Sequence, residues 1–471
     1  MAGALSLSSS EIESGTDATE GGLVSRTLIV GGIAVAGGEA RRADVLVEGE
    51  TIARIGPNLD RSADRILDAG GRYILPGAID VHVHPVYLDD LAACSIAGAH
   101  GGVTTLVHYA YAKPGNGLLE TIHRFREEGE AGSILDFALH GGLFDAARQA
   151  DEIPAAIAEG VTSFKMFMTY AKFGWMTDDY QLMRTLDILG RVGGMGMVHA
   201  ENGLATDYLE DRFLAEGRDP IDAFVDTRPA ILEAEAVGRA ISMAQVAGCP
   251  IYIPHVSARL ALDAVRDAKA RGFRVYGETC PQYLTLTNDD LVEQGPLLKI
   301  GPPLRTDDDR RALWEGLADG TLDCVASDHA PKEKTAGDDF STAPFGSPQL
   351  ETMLPLLFHG GVAERRLDIA RLVDLMCETP ARIFGLYPQK GTLAAGSDAD
   401  LVIVDPEAAW TIERTRLYSN ATYSPYEGQR VVGRPILTMR RGKILVEDGR
   451  LTTDPGRGRF LRTRIGDGAT G

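Results

Sequence analysis

The sequence predicts an α/β fold: a (β/α)8 TIM-like barrel with a small β-sandwich domain built from both ends of the chain. Three observations point there. From about Pro76 to Leu386, short apolar runs alternate with amphipathic helical stretches, the pattern of buried parallel strands in a βα series. Eight such units fit the roughly 250–300 residues that a βα barrel occupies. Short alternating strands flank this region on both sides.

In chain order, residues 1–24 are Ser/Gly-rich and acidic, with no basic n-region, so a disordered tail is expected rather than a signal peptide. Residues 25–75 carry RTLIVGG, ADVLVEGE, TIARIG and RYIL, the first part of the sandwich. Residues 76–386 form the barrel, with amphipathic helices at Ala230 to Val246 and Arg259 to Ala270. Residues 387–455 return to strands in DADLVIVDP and RPILTMRRGKILVEDGRL and complete the sandwich. Residues 456–471 close the chain as a tail, part of a Gly- and Arg-rich stretch from Asp454 that reads as disordered or as an oligomer arm.

At 471 residues the chain exceeds one ordinary core. A formal charge of −20 argues against nucleic acid or an anionic membrane as partner, since both require a basic face. Cys94, Cys249, Cys280, Cys324 and Cys377 are widely spaced and lack a Cys-x-x-Cys pair. They read as reduced thiols of a cytoplasmic protein. No apolar run reaches the length of about 18 residues that would span a bilayer.

Six residues carry the chemistry: His82, His84, Lys165, His199, His255 and Asp328. They belong to the apolar runs ILPGAIDVHVH, VTSFKMFM, GMGMVHAEN, IYIPHVSA and LDCVASDHA. Barrel chemistry gathers at the C-terminal strand ends, so residues far apart in sequence can meet there. His82 and His84, two apart on a strand, face the same way and can share a metal. Each histidine alone also fits a satisfied structural role. Lys165 lies inside an apolar strand, where an unpaired ammonium is costly. It must snorkel to water, find an ion pair, lose its proton, or become a carbamate that bridges two cations. Asp328 can bind a metal and take a proton from metal-bound water. Imidazole and carboxylate ligands suit zinc, with manganese, cobalt or iron as alternatives. His329 is a candidate partner behind Asp328; the other five histidines read as structural or surface residues.

FKMFMTY around Lys165, HAEN at His199, TRPAILEAEAVGRAI, GETCPQYLTLT, GPPLR, SDHAP at Asp328 and SPYEG extend the reading. Together they make the chain resemble the cyclic amidohydrolases, dihydropyrimidinases and hydantoinases above all, over residues 25 to 450. The resemblance implies His82, His84, Lys165 and Asp328 on one metal, and Lys165, His199 and His255 on the other. Lys165 would be the carboxylated bridge (N6-carboxylysine). A hydroxide between the metals would attack the ring carbonyl. Asp328 would take its proton and return it to the leaving nitrogen, while Tyr170 donates a hydrogen bond to the oxyanion. Dimers or tetramers are also implied.

The chain departs from the family in ways that bear on substrate. Asp80-Val81-His82-Val83-His84 is nearer to dihydroorotase and allantoinase, yet PVYLDD follows it where those enzymes carry an arginine and Asn-Glu-Pro-Gly. Lys332 stands where dihydroorotases have a histidine. Both losses argue against a carboxylate-bearing substrate such as dihydroorotate. Gly301 replaces a serine, and Phe345 interrupts a Pro-Asn-Gly, at the two places where the family contacts the amide ring. Tyr87, Phe173 and Trp175, with Leu88 and Met176, suggest a pocket for a hydrophobic or aromatic ring substituent. The expected activity is ring opening of a hydantoin, dihydropyrimidine or related cyclic imide. The alternatives are an allantoinase- or dihydroorotase-type enzyme, or a non-catalytic scaffold like the collapsin response mediator proteins.

Overall fold

The computed structural model describes residues 25–465; the expected N-terminal tail and the end of the expected C-terminal tail lie outside them. The first five strands are β1 (Arg26–Ala36), β2 (Glu39–Glu48), β3 (Thr51–Gly56), β4 (Arg65–Asp68) and β5 (Tyr73–Pro76). Eight barrel strands follow: β6 (Ala78–Val83), β7 (Val103–Ala112), β8 (Asp136–Leu143), β9 (Ser163–Phe167), β10 (Met195–His199), β11 (Ile251–Ile253), β12 (Val275–Thr279) and β13 (Cys324–Val325). The last four are β14 (Leu401–Thr411), β15 (Arg430–Arg440), β16 (Lys443–Glu447) and β17 (Arg450–Leu451).

Strands β6 to β13 pair in sequence order, and each pairing with printed register is parallel. The ring closes where Val83 pairs with His329, just beyond β13. Every position of β7 and β8 is buried, as expected for parallel strands covered on both faces. Outside them, the helix Arg259–Ala270 buries Ala261, Leu262, Val265 and Ala268 at helical spacing. The helix Ala230–Ala247 likewise turns Ala236, Val237, Ala240 and Ala244 inward.

The two chain ends build one sheet of nine strands, ordered β17-β16-β15-β14-β5-β1-β2-β3, with β4 beside β1. N- and C-terminal pieces join where β14 runs antiparallel to β5, with Leu401 opposite Pro76. The sheet curls back on itself. Thr51 bridges to Asp398, Arg441 Nη1 lies 2.9 Å from Glu50, and Val45, Ile74, Leu401 and Met439 share one core. Gly77 carries the chain from this sheet into β6. A Cβ there would stand 2.1 Å from the Thr104 hydroxyl, so a side chain is excluded at the passage.

The described part of the expected tail is neither free nor an outstretched arm. Phe460 bridges to Phe137 at the start of β8, and Phe137 N–H donates to the Arg459 carbonyl at 3.0 Å. Thr463 bonds Thr162 at 2.8 Å, and Arg464 N–H reaches the Phe384 carbonyl. Leu461 and Ile465 pack with Phe384 against the barrel interior at Val81, Tyr109 and Tyr252. The physical reason is that Phe460, Leu461 and Ile465 of FLRTRI are apolar and cover the open N-terminal end of the barrel. Deleting residues 454–471 is expected to lower the midpoint of thermal unfolding by about 5 °C or more. Differential scanning calorimetry reads this directly, and an unchanged midpoint would refute a structural role for the segment.

Candidate active site

His82 and His84 leave β6 on one face, Lys165 points from the middle of β9, and His199 ends β10. His255 follows β11 and Asp328 follows β13. All six line a single cavity of about 510 Å³ at the C-terminal ends of the strands. The ligand atoms of His82, His84 and Asp328 lie within 4.8 Å of one another. Lys165 Nζ lies 3.4 Å from His255 Nε2, and the His199 and His255 rings are 4.5 Å apart.

Three of the four imidazoles are aimed by a second nitrogen. His82 Nδ1 pairs with Glu278 at 2.6 Å, leaving Nε2 buried with no hydrogen-bond partner and 3.1 Å from Asp328. His199 Nε2 pairs with Glu201 at 2.7 Å, and Arg228 holds Glu201 from behind at 3.1 Å. His84 Nδ1 meets the Tyr111 hydroxyl at 3.0 Å, and its Nε2 faces Asp328 at 2.9 Å. A buried nitrogen without a partner, beside a second imidazole and a carboxylate, is a donor set that a divalent cation satisfies.

The electrostatics express the same crowding. Burial would lower the His82 imidazole, but Glu278 and Asp328 overcome it and hold it up at about 9. Burial pushes His84 down to about 4 and lowers Lys165 to about 8. Burial would raise the Asp328 carboxyl, yet His82 and His84 hold it well below its usual range. Among the described residues no carboxylate pairs with Lys165; its ammonium meets only the His255 nitrogen and the Tyr109 and Phe167 rings.

Tyr170, His255 and Asp328 have φ of 67°, 45° and 51°. This left-handed region is disfavoured for residues with a Cβ and costs about 1–3 kcal/mol each. Three such residues around one cavity mark where the fold spends stability on placing side chains.

Tyr87, Tyr170, Phe173, Trp175, Gly301 and Phe345 all line the same cavity. The Tyr170 hydroxyl takes no hydrogen-bond partner among the described residues. A Cβ at Gly301 would lie 3.0 Å from that hydroxyl and 3.3 Å from the Phe345 ring. A side chain at 301 would therefore fit only if the Tyr170 hydroxyl and the Phe345 ring gave by a few tenths of an ångström, so the two departures noted in the sequence face each other in space. Trp175 stacks on Phe144 at 4.6 Å, and Phe144 on Tyr111 at 4.8 Å.

Sequence reasoning did not assign roles to Glu278, Glu201, Tyr111 or Arg228. The first two lie within the motifs GETC and HAEN; the available signal is an acid inside the apolar strand β12 for Glu278 and one two residues past the end of β10 for Glu201. The His329 ring turns away from the expected partnership with Asp328: it is held by Asp89 at 2.9 Å and by the Gln349 and Leu350 N–H groups.

A parallel barrel that gathers imidazoles and a carboxylate at its strand ends defines the class: a barrel hydrolase of the metal-using kind. Residues 215–445 match the amidohydrolase family. The chain is 39% identical to the D-hydantoinase of Ralstonia pickettii over 455 residues, 93% of this chain and 98% of that one. It is 37% identical to a D-phenylhydantoinase of Escherichia coli over 457 residues, again 93% and 98%. A crystal structure of dihydropyrimidinase from Brevibacillus agri superposes with a TM-score of 0.89 at 35% identity, covering 94% of this chain and 99% of that one. The chain belongs to the hydantoinase and dihydropyrimidinase branch of the amidohydrolase family, whose members hydrolyse cyclic amides.

Replacing Glu278 with alanine frees the His82 ring and is expected to weaken metal binding about 10–100-fold. Metal retained after dialysis against a graded chelator measures it; wild-type retention would remove Glu278 from any orienting role.

Proposed function

We propose that the chain opens the ring of a hydantoin, a dihydropyrimidine or a related cyclic imide, using two divalent cations, with zinc the best match. The observation that carries this is the convergence of His82, His84, Lys165, His199, His255 and Asp328 on one cavity. His82, His84, Lys165 and Asp328 would hold one cation, and Lys165, His199 and His255 the other. When bound, the cations would supply a strong nucleophile from water at neutral pH and polarise the ring carbonyl. Manganese, cobalt and iron remain compatible with the same donors.

The remaining chemistry falls to the side chains. Lys165, buried without a counter-charge, reacts as the neutral amine with carbon dioxide: an N–C bond forms, one proton leaves, and the product is a carbamate. The unfavourable ammonium becomes a carboxylate-like ligand able to reach both cations. Asp328 accepts the proton of the attacking water and delivers it to the departing ring nitrogen. Tyr170 donates its unpartnered hydroxyl to the oxygen that gains charge. Main-chain groups at Gly301 and Phe345 hold the amide ring. Tyr87, Phe173 and Trp175 border the space for the ring substituent.

The filled ligand positions speak against a non-catalytic scaffold. PVYLDD after His84 speaks against the allantoinase and dihydroorotase types. Five buried, unpaired cysteines support a reducing, cytoplasmic setting, and no helix among the described residues is long and apolar enough to cross a membrane. Exposed Leu204, Tyr208, Leu214 and Ile231 support a homo-oligomer, either dimer or tetramer.

Lys165→Ala is expected to lose both metal and activity, with short carboxylic acids restoring part of each. Full activity in this variant would be incompatible with a bridging lysine. Asp328→Ala should reduce kcat by at least about 100-fold, read as ring-opening absorbance; an unchanged kcat removes the proton-transfer role. Phenylhydantoin should be turned over with higher kcat/KM than dihydrouracil, and the reverse order would contradict an aromatic-lined substituent pocket.

A further inference from the structure

Lys332 follows β13 on the loop that begins at Asp328 and lines the same cavity as the six candidate ligands. The loop is tied to the one after β6, because Leu88 N–H donates to the Pro331 carbonyl at 3.1 Å. Lys332 Nζ lies 4.1 Å from the centre of the Tyr87 ring. It makes no hydrogen bond or ion pair among the described residues. Two further lysines stand close by. Lys299 donates to the Phe340 and Ser341 carbonyls at 2.7 and 3.0 Å, and Lys334 donates to the Lys299 carbonyl at 3.0 Å. Neither has a carboxylate partner among the described residues.

This grouping is unusual in a chain whose acids outnumber its bases, 67 Asp and Glu against 47 Lys and Arg. The charged side chains lining the cavity are Lys165, Lys299, Lys332 and Asp328, and Asp328 is engaged by His82 and His84. A half-buried ammonium pays a desolvation cost that a nearby anion recovers. Burial lowers Lys332 to about 8 although Asp328 pulls the other way. Among the described residues lining the cavity none supplies a free anion; the cavity's occupant can.

The aromatic wall leads to this cation. It runs from Trp175 through Phe144 and Tyr111 to His84. From there it continues to Tyr87, whose ring centre lies 6.3 Å from that of His84, and Lys332 caps its end. An apolar stem laid along the rings would present its far end to the ammonium.

We propose that Lys332 is a specificity-determining residue that binds an anionic group on the substrate, so that the preferred substrate is a cyclic amide whose ring substituent ends in a carboxylate. This rests on the ring-opening reading above. It assigns to a lysine the carboxylate recognition that the missing arginine and histidine had argued against.

The test uses metal-loaded full-length enzyme and hydantoins bearing carboxymethyl or carboxyethyl at the ring carbon, each beside its primary amide. Acid and amide share shape and differ in charge. The readout is the acid-to-amide ratio of kcat/KM, from which any general loss of activity cancels. The wild type is expected to favour the better acid by about tenfold or more, mainly through KM, the scale of one charge-assisted hydrogen bond. K332Q should bring the ratio close to one and K332E should push it below one. A wild-type ratio of one or less, or a preference that survives both variants, overturns the proposal while amide turnover leaves the ring-opening reading standing. Turnover of no compound overturns both.

Discussion

A primary amine buried with no carboxylate in contact among the described residues is the constraint around which this molecule is organised. Lys165 is 1% exposed in the middle of β9, faced by rings and by one imidazole nitrogen. Burying an ammonium costs several kcal/mol, and the Tyr109 and Phe167 rings and the more distant Asp328 and Glu278 charges offset only part of it, since burial still lowers Lys165. On the function proposed above, cations and carbon dioxide would change the lysine's chemistry and make the strand tolerable. The surrounding donors follow from that placement. His82, His199 and His255 crowd the same point, and Glu278 and Glu201 turn two of the rings so that their free nitrogens face inward.

The backbone supports the arrangement at measurable expense. His255 and Asp328 both leave their strands through left-handed conformations, as does Tyr170 after β9. An ordinary strand-to-helix exit would carry these side chains along the strand direction. The left-handed turn instead returns them over the barrel mouth. Glu278 ties the result together, since it meets the His82 ring, the His255 N–H and the Tyr252 hydroxyl. One carboxylate on β12 thereby couples its neighbour β11 to β6, which lies beyond β13 in the ring.

Much of this was legible in the sequence, for physical reasons. Parallel strands buried on both faces must be continuous apolar runs, so IYIPH and FKMFM announce themselves, and a charged residue within one is conspicuous. Amphipathic helices obey a period that Arg259–Ala270 displays openly. Glu278 and Glu201 were harder to assign, because an acid two residues past an apolar stretch looks the same whether it braces an imidazole or caps a helix. The exchange between Gly301 and Phe345 depends on a distance across two loops that no local pattern encodes. The segment at 456–465 reads as a solvated tail because of its glycines and arginines, while in the structure FLRTRI packs at a few positions against the barrel floor.

The pairing of β14 with β5 and β1 with β5 has a temporal side. During synthesis, the strands before Pro76 emerge long before Leu401, an interval on the order of tens of seconds at ribosomal rates. Throughout it, the Tyr73–Pro76 edge lacks its antiparallel neighbour while the barrel is being extruded. The nascent chain thus carries an open β-edge rich in Ile and Leu next to a half-built ring, and the molecule can only lock shut from its far end. Exposure to aggregation during synthesis is therefore a matter of this chain's connectivity, quite apart from the robustness of the finished fold.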